Sequence, residues 1–305
     1  MSKTLKYSTV MFLAGVCYGF NVPLVRFVYA QGFSASEVMI FQYSAATVFL
    51  AIIIVLFFRR RVTFKDIMKL FCVGFLAAGV SFSYYRALAL LPSATAVTLL
   101  FQFVWMGLIA QALRERKLPN KTALFSVLIV MLGTVLATGI LEVGATSDPL
   151  NPLGIFFGLL SAAFYAAFII ASSKTATQLP AANRTLFTSI GSFFVAFILC
   201  PTFFNSTLPS AITNPGFILP GLALGIAGIL LPVFLIASSS PHLPNGLSTI
   251  MASSELPSGI LCAALFMGDA ISPLVALGVV IVLAGIALSQ SPELLAHLKN
   301  RKTKR

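Results

Sequence analysis

The sequence predicts an all-α integral membrane protein in which ten transmembrane helices form two inverted five-helix repeats. Three observations carry that prediction. Of the 305 residues, 58% are hydrophobic and 9% charged, with a mean hydropathy of +0.99, whereas a soluble domain carries roughly 25% charged residues. The apolar residues fall in ten runs of about 20, the length of α-helix that crosses a hydrocarbon core about 30 Å thick. Those runs are continuous and do not alternate, which excludes a closed β-barrel. Third, the halves echo one another: Leu91-Pro92 matches Leu243-Pro244, Ala112-Leu113 matches Ala264-Leu265, and Gly133 matches Gly285, each pair 152 residues apart.

Bounded by Pro, Gly, Asn or charge, the first five predicted spans cover 8–30, 36–58, 67–90, 92–113 and 121–140. The second five cover 153–174, 184–204, 217–239, 246–267 and 272–290. Span one follows Lys3 and Lys6 in the manner of a signal peptide. Its apolar run is too long for one, and no small-residue cleavage site follows, so it is read as retained. Span one holds Gly15 and Gly19, and span six holds Gly154 and Gly158. Each pair is a GxxxG that lets a neighbouring helix approach closely. Span eight carries hinge material in Gly221, Gly225, Gly228 and Pro232.

The count of ten is tested by the rule that Lys and Arg gather on the cytoplasmic side. Lys3 and Lys6 precede span one, while Arg59, Arg60, Arg61, Lys65 and Lys69 surround the second loop. Arg114, Arg116, Lys117 and Lys121 surround the fourth, and Lys174 and Arg184 flank the sixth. Lys299, Arg301, Lys302, Lys304 and Arg305 follow span ten. These are 18 of the 20 basic residues, and the opposite loops hold Glu37, Glu142, Asp148 and Asp269 with no Lys or Arg. Both termini are therefore predicted to be cytoplasmic, in a plasma (inner) membrane.

The net charge of +12 is then a set of topology signals and anionic-lipid contacts, so nucleic acid is not expected as a partner. Cys17, Cys72, Cys200 and Cys262 lie inside apolar segments without ligand spacing, which implies small core residues and neither a disulfide nor a metal. No cofactor is expected. Because five is odd, a duplicated five-span unit inserts upside down relative to its twin. The expected units are 1–145 and 146–305, the second with a basic tail. Inverted repeats are a transporter architecture, with the substrate near the midplane where the halves meet.

Four stretches then resemble the drug/metabolite transporter superfamily, specifically its EamA-type ten-span branch, over essentially the whole chain. They are Gly19-Phe20-Asn21-Val22-Pro23-Leu24; Tyr85-Arg86-Ala87-Leu88 with Leu91-Pro92-Ser93-Ala94; Ala112-Leu113-Arg114-Glu115-Arg116, where Arg114 replaces a glycine; and Glu255 and Pro257 followed by Gly268-Asp269. In the last, the proline is displaced by one and aspartate stands for glutamate. The resemblance implies solute transport, often export of amino acids or related metabolites, without supplying the substrate.

Intramembrane polar residues are the candidates for the chemistry. Glu255 lies about 13 Å from the cytoplasmic end of span nine by helical rise. A carboxylate there costs about 3 kcal/mol or more unless it faces a wet cavity, gains a partner or is protonated. It is read either as a substrate-ammonium ligand and proton-coupling group or as a contact between helices. Arg26 and Arg86 lie in the outer thirds of their spans, as interface anchors that snorkel or as partners of an anionic substrate group; a guanidinium opposite Glu255 would suit a zwitterion. Asn21, two residues before Pro23, either bonds backbone freed at the kink or faces substrate. Gln102 with Trp105, and Tyr84, Tyr85 and Tyr165, are read as lining a partly polar cavity or as ordinary packing. Ser253 and Ser254 add hydroxyls beside Glu255.

The expected function is alternating-access transport of a small organic solute, with export the preferred direction and protons a possible coupling partner. Uptake or exchange of a nucleoside-type or S-adenosyl compound is the alternative. A membrane-embedded enzyme or a receptor is the reading from another class, but His242 and His297 lie outside or at the ends of spans and no nucleophile or metal grouping appears. A monomer and a homodimer are both compatible with the sequence.

Overall fold

The computed structural model describes residues 3–57, 62–116, 118–142, 151–204 and 215–290. No strand occurs among them. The chain runs through α1 (Lys3–Ala30), α2 (Ala35–Phe57), α3 (Phe64–Leu90), α4 (Ser93–Leu100), α5 (Phe103–Glu115) and α6 (Lys121–Ala137). It continues with α7 (Pro152–Lys174), α8 (Ala181–Phe204) and α9 (Pro215–Ala223), then a π-helical segment (Leu224–Leu230) and α10 (Leu231–Ser239). A 3-10 turn (Ser240–His242), α11 (Asn245–Ala252), α12 (Glu255–Met267) and α13 (Pro273–Ser289) complete it.

Eight spans are long and apolar enough to cross a membrane, and α6 and α13 are shorter apolar helices of 17 residues. The molecule is a helical membrane protein of about ten spans. Arg59, Arg60, Arg61, Lys117, Asp148, His297 and the basic tail lie outside the described residues.

Local chemistry fixes where the helices start. Ser34 and Glu37 form a reciprocal cap at α2: Ser34 Oγ donates to Glu37 Oε2 at 2.7 Å, and the Glu37 N–H donates to Ser34 Oγ at 3.3 Å. Thr63 and Asp66 begin α3 in the same way. Asn120 accepts from the Ala123 N–H at 2.6 Å, and Asn151 from the Leu153 N–H at 2.9 Å with Pro152 in the first turn.

Two features of the spans go beyond the sequence reading. Spans four and nine each form one span, Ser93–Arg114 and Gly246–Met267, with an irregular turn where α4 gives way to α5 at Phe101-Gln102 and α11 to α12 at Ser253-Ser254. Hydropathy averages over such breaks, because a single irregular turn leaves the apolar content unchanged. Arg184, read as flanking the sixth loop at the start of span seven, is buried. It lies in the first turns of α8, 4% exposed, donating to the Ala237 carbonyl at 2.6 Å and to the Ser172 carbonyl. It thus ties the last turns of α7 and α10 together, where carbonyls lack helical partners and the dipole favours a cation.

The breaks recur with the sequence offset. Helices begin at 93, 103 and 121 in the first half and at 245, 255 and 273 in the second, each pair 152 apart. The left-handed C-caps also correspond, Arg116 at φ 51° and Gly268 at φ 73°.

Packing follows the same exchange of halves. α1 packs on α11 and α12, while α7 packs on α4 and α5; α3 packs on α7, while α10 packs on α1. α6 and α13 pack on each other. There the absence of side chains at Gly133 and Gly278 permits near backbone contact, since a Cβ on Gly133 would meet the Val282 nitrogen and one on Gly278 the Ala137 backbone.

Candidate functional site

The breaks bring polar groups to mid-depth. At each turn the helical bonding tightens without leaving the right-handed region, the Val104 N–H donating to Phe101 O and the Leu256 N–H to Ser253 O. Glu255 is the first residue of α12. Its Oε2 accepts a hydrogen bond from the Tyr165 hydroxyl of α7 at 2.9 Å. Tyr165 is itself 4% exposed and packs against Phe103, the first residue of α5, with ring centroids 4.4 Å apart. Tyr18 of α1 meets Tyr165 edge-on at 6.1 Å. The first residues of both second half-helices, 103 and 255, therefore converge on one tyrosine.

α1 presses directly on the second break. Ser254 Oγ donates to the Phe12 carbonyl at 2.8 Å, and a Cβ on Gly19 would meet the Glu255 carbonyl and the Gly259 nitrogen. The Ser254 hydroxyl is thus committed to holding α1, and Ser253 Oγ donates to Ile250 O at 2.6 Å within its own chain segment. These bonds orient Glu255 and leave its carboxyl as the polar group that points at the tyrosines.

Tyr84 and Tyr85 of α3 lie with ring centroids 6.3 Å apart. Tyr84 is within electrostatic reach of Glu255 and of Arg26, and Tyr29 of α1 stands beside Tyr84 and Tyr85. The cluster therefore consists of Glu255 bonded by Tyr165, with Tyr18 and Tyr84 within electrostatic reach of it and Tyr85 and Tyr29 beside Tyr84. Such an arrangement offers one carboxyl, several hydroxyls and aromatic faces, the combination that receives an ammonium group.

The remaining sequence-based candidates are placed otherwise. Gln102 and Trp105 meet each other: the Trp105 Nε1–H donates to Gln102 Oε1 at 2.7 Å, while Gln102 Nε2 donates to Thr98 O at 2.9 Å. Trp105 shares an exposed face of α5 with Ile109 and Leu113. Arg86 lies over the Phe157 ring, 5.6 Å from its centroid. Arg26 is half-exposed and pairs with Asp269 beyond the end of α12. Asn21 abuts the π-helical segment, since a Cβ on Gly228 would fall 2.5 Å from its Oδ1, and that oxygen is buried with no hydrogen-bond partner. π-Helical turns inside longer helices are frequent at functional sites, and this one occupies the predicted hinge of span eight.

Sequence reasoning passed over Tyr18 and Phe103. Tyr18 lies between Gly15 and Gly19, the pair by which α1 approaches the break. Phe103 is separated from Glu255 by the 152-residue offset, which was the available signal for both ends of the cluster.

Among the described residues no group of three or more His, Cys, Asp or Glu side chains is arranged for a metal ion, and Cys17, Cys72 and Cys262 are free thiols.

Residues 5–139 match the model of the EamA-like transporter family. A solved crystal structure of a protein superposes on 95% of this chain and 97% of its own, with a TM-score of 0.76 at 16% sequence identity. At that identity the likeness concerns the fold. No curated protein sequence matches the chain.

Proposed function

We propose, on the premise that this chain is a membrane transporter of the EamA-like family, that it exports a small organic solute bearing an ammonium group, such as an amino acid or related metabolite. Two inverted five-helix halves, 1–145 and 146–305, alternate access around the Glu255 cluster. The observation that carries the reading is the placement of Glu255 at an irregular turn, bonded by Tyr165 at 2.9 Å, with Tyr18 edge-on to Tyr165 and Tyr84 within electrostatic reach. A carboxyl that was only a packing contact would have no need of a ring of hydroxyls and aromatic faces. Glu255 takes the ammonium group and exchanges it for a proton, while Tyr84, Tyr85 and Tyr165 contact the apolar part of the solute. Asn21 senses the π-helical segment that bends as the halves rock, and Ser254 fixes α1 to the break. Gln102, Trp105 and Arg86 bound the space at greater distance. The protein sits in a plasma (inner) membrane with both termini cytoplasmic, as the distribution of basic residues supports.

The test is transport by purified protein in liposomes, with a panel of labelled amino acids, nucleosides, S-adenosyl compounds and organic cations, each with and without a pH gradient. An amine-bearing solute driven by the gradient is expected, with flux lost in Glu255→Gln. Selective flux of solutes without an amine, or normal flux in that variant, overturns the reading.

A further inference from the structure

α3, α5 and α7 border an open apolar cavity of about 570 Å³, lined by residues including Leu76, Met106, Ala163 and Ala167 and ending at Arg114 and Lys174. None of these side chains belongs to the Glu255 cluster. The two cations lie at one end of the cavity, in the last turns of α5 and α7, and both are exposed. The ion pair between Arg26 and Asp269 lies elsewhere, and no described carboxylate pairs with either cation. From Met106 to Arg114 and from Ala163 to Lys174 the helices rise about 12 and 16 Å, close to half of a hydrocarbon core about 30 Å thick. The cavity is therefore one leaflet deep, apolar along its length and cationic at its mouth. Its flanks, Phe75, Ile109 and Leu113, are exposed apolar side chains, so it opens toward lipid.

We propose that this cavity is a binding site for an anionic phospholipid, with one acyl chain lodged between α5 and α7 and the phosphate on Arg114 and Lys174. Basic groups at the membrane surface attract anionic headgroups. The small side chains of Ala163 and Ala167 leave room for the chain beside them. Cations in the last turn also complement the helix dipole, but the dipole does not call for an apolar slot beneath them, and the slot is what selects a lipid over a soluble anion.

Trp105 is the only tryptophan of the protein and lies nine residues from Arg114, about 13 Å deeper along α5, at the level of mid-chain bromines. The experiment compares quenching of its fluorescence by dibrominated phosphatidylglycerol and dibrominated phosphatidylcholine in bilayers of equal mole fraction. The expected result is a relative association favouring the anionic lipid by about tenfold or more. The combination Arg114→Gln with Lys174→Gln removes the preference. Ala167→Phe, which fills the slot and keeps both charges, also removes it, whereas Lys121→Gln, outside the cavity, preserves it. Equal quenching by the two lipids in the unsubstituted protein overturns the proposal without recourse to any variant. A preference that survives Ala167→Phe overturns it as well, since surface charge alone then accounts for the effect.

Discussion

The Tyr165 hydroxyl and the Glu255 carboxyl meet at 2.9 Å across the contact between α7 and the break that separates α11 from α12. The two residues are 90 positions apart, and each sits where its helix is held by others: Tyr165 by Phe103 and Tyr18, Glu255 by the Ser254 bond to Phe12.

If Tyr165 acts on transport through Glu255, the two substitutions do not add. Hydrogen bonds to carboxylates contribute about 1.5 to 3 kcal/mol, so Tyr165→Phe is expected to lower flux about tenfold. Glu255→Gln lowers it further, and the double variant is no worse than Glu255→Gln alone. Initial rates in liposomes, normalised to folded protein by size-exclusion chromatography, measure this. Additive losses show two independent roles.

Arg184 governs stability. Its guanidinium satisfies carbonyls of both α7 and α10, so Arg184→Ala leaves buried acceptors unpaired at two helix ends, a cost of about 3 kcal/mol. Arg184→Lys keeps the charge but lacks the planar fork that spans both carbonyls, and is expected to recover less than half of the loss. Thermal midpoints in detergent, with the intrinsic tryptophan signal as probe, report both.

Arg116 closes α5 in the left-handed region, at φ 51°, where its counterpart Gly268 closes α12 at φ 73°. A side chain in that region costs about 1 to 2 kcal/mol, and glycine relieves it. Arg116→Gly should therefore raise the thermal midpoint, whereas Gly268→Arg, the reverse exchange, lowers it. Because Gly268 has no neighbour within 4 Å of an added Cβ, the second effect isolates backbone conformation from packing.

The span count and the 152-residue offset were legible because both depend on apolar content and on Leu-Pro pairs, which a chain displays in order. The breaks at Phe101-Gln102 and Ser253-Ser254 were not, since no proline or glycine stands at either and Pro92 and Pro244 mark only where the half-helices begin. Glu255 was legible as a lone carboxylate amid apolar residues, and Tyr165 as a tyrosine of span six, but their bond joins segments whose pairing only the fold defines. The burial of Arg184 was not legible for a related reason: counting basic residues near span ends says nothing of whether a helix end elsewhere offers carbonyls to one of them. Gln102 and Trp105 were correctly placed near each other, three residues apart on one helix, yet their spacing also lets each satisfy the other.

The paired GxxxG motifs look equivalent in the sequence but differ in what they touch. An added Cβ at Gly19 would meet backbone, the Glu255 carbonyl and the Gly259 nitrogen, whereas at Gly158 it would meet the Leu99 side chain. Overpacking costs of about 1 to 3 kcal/mol fall at both, because the Leu99 Cβ, 2.8 Å from the added atom, is fixed to its backbone and no rotamer change moves it. Gly19→Ala is expected to lower the thermal midpoint and to abolish flux by shifting Glu255. Gly158→Ala should lower the midpoint as well, since α7 must shift from α4, but leave more flux than Gly19→Ala because the methyl group meets Leu99 and not the Glu255 backbone. Equal losses of flux at the two glycines would mean that the contact of α1 with the turn before Glu255 has no particular part in transport, and the positioning of Glu255 by α1 would then fall.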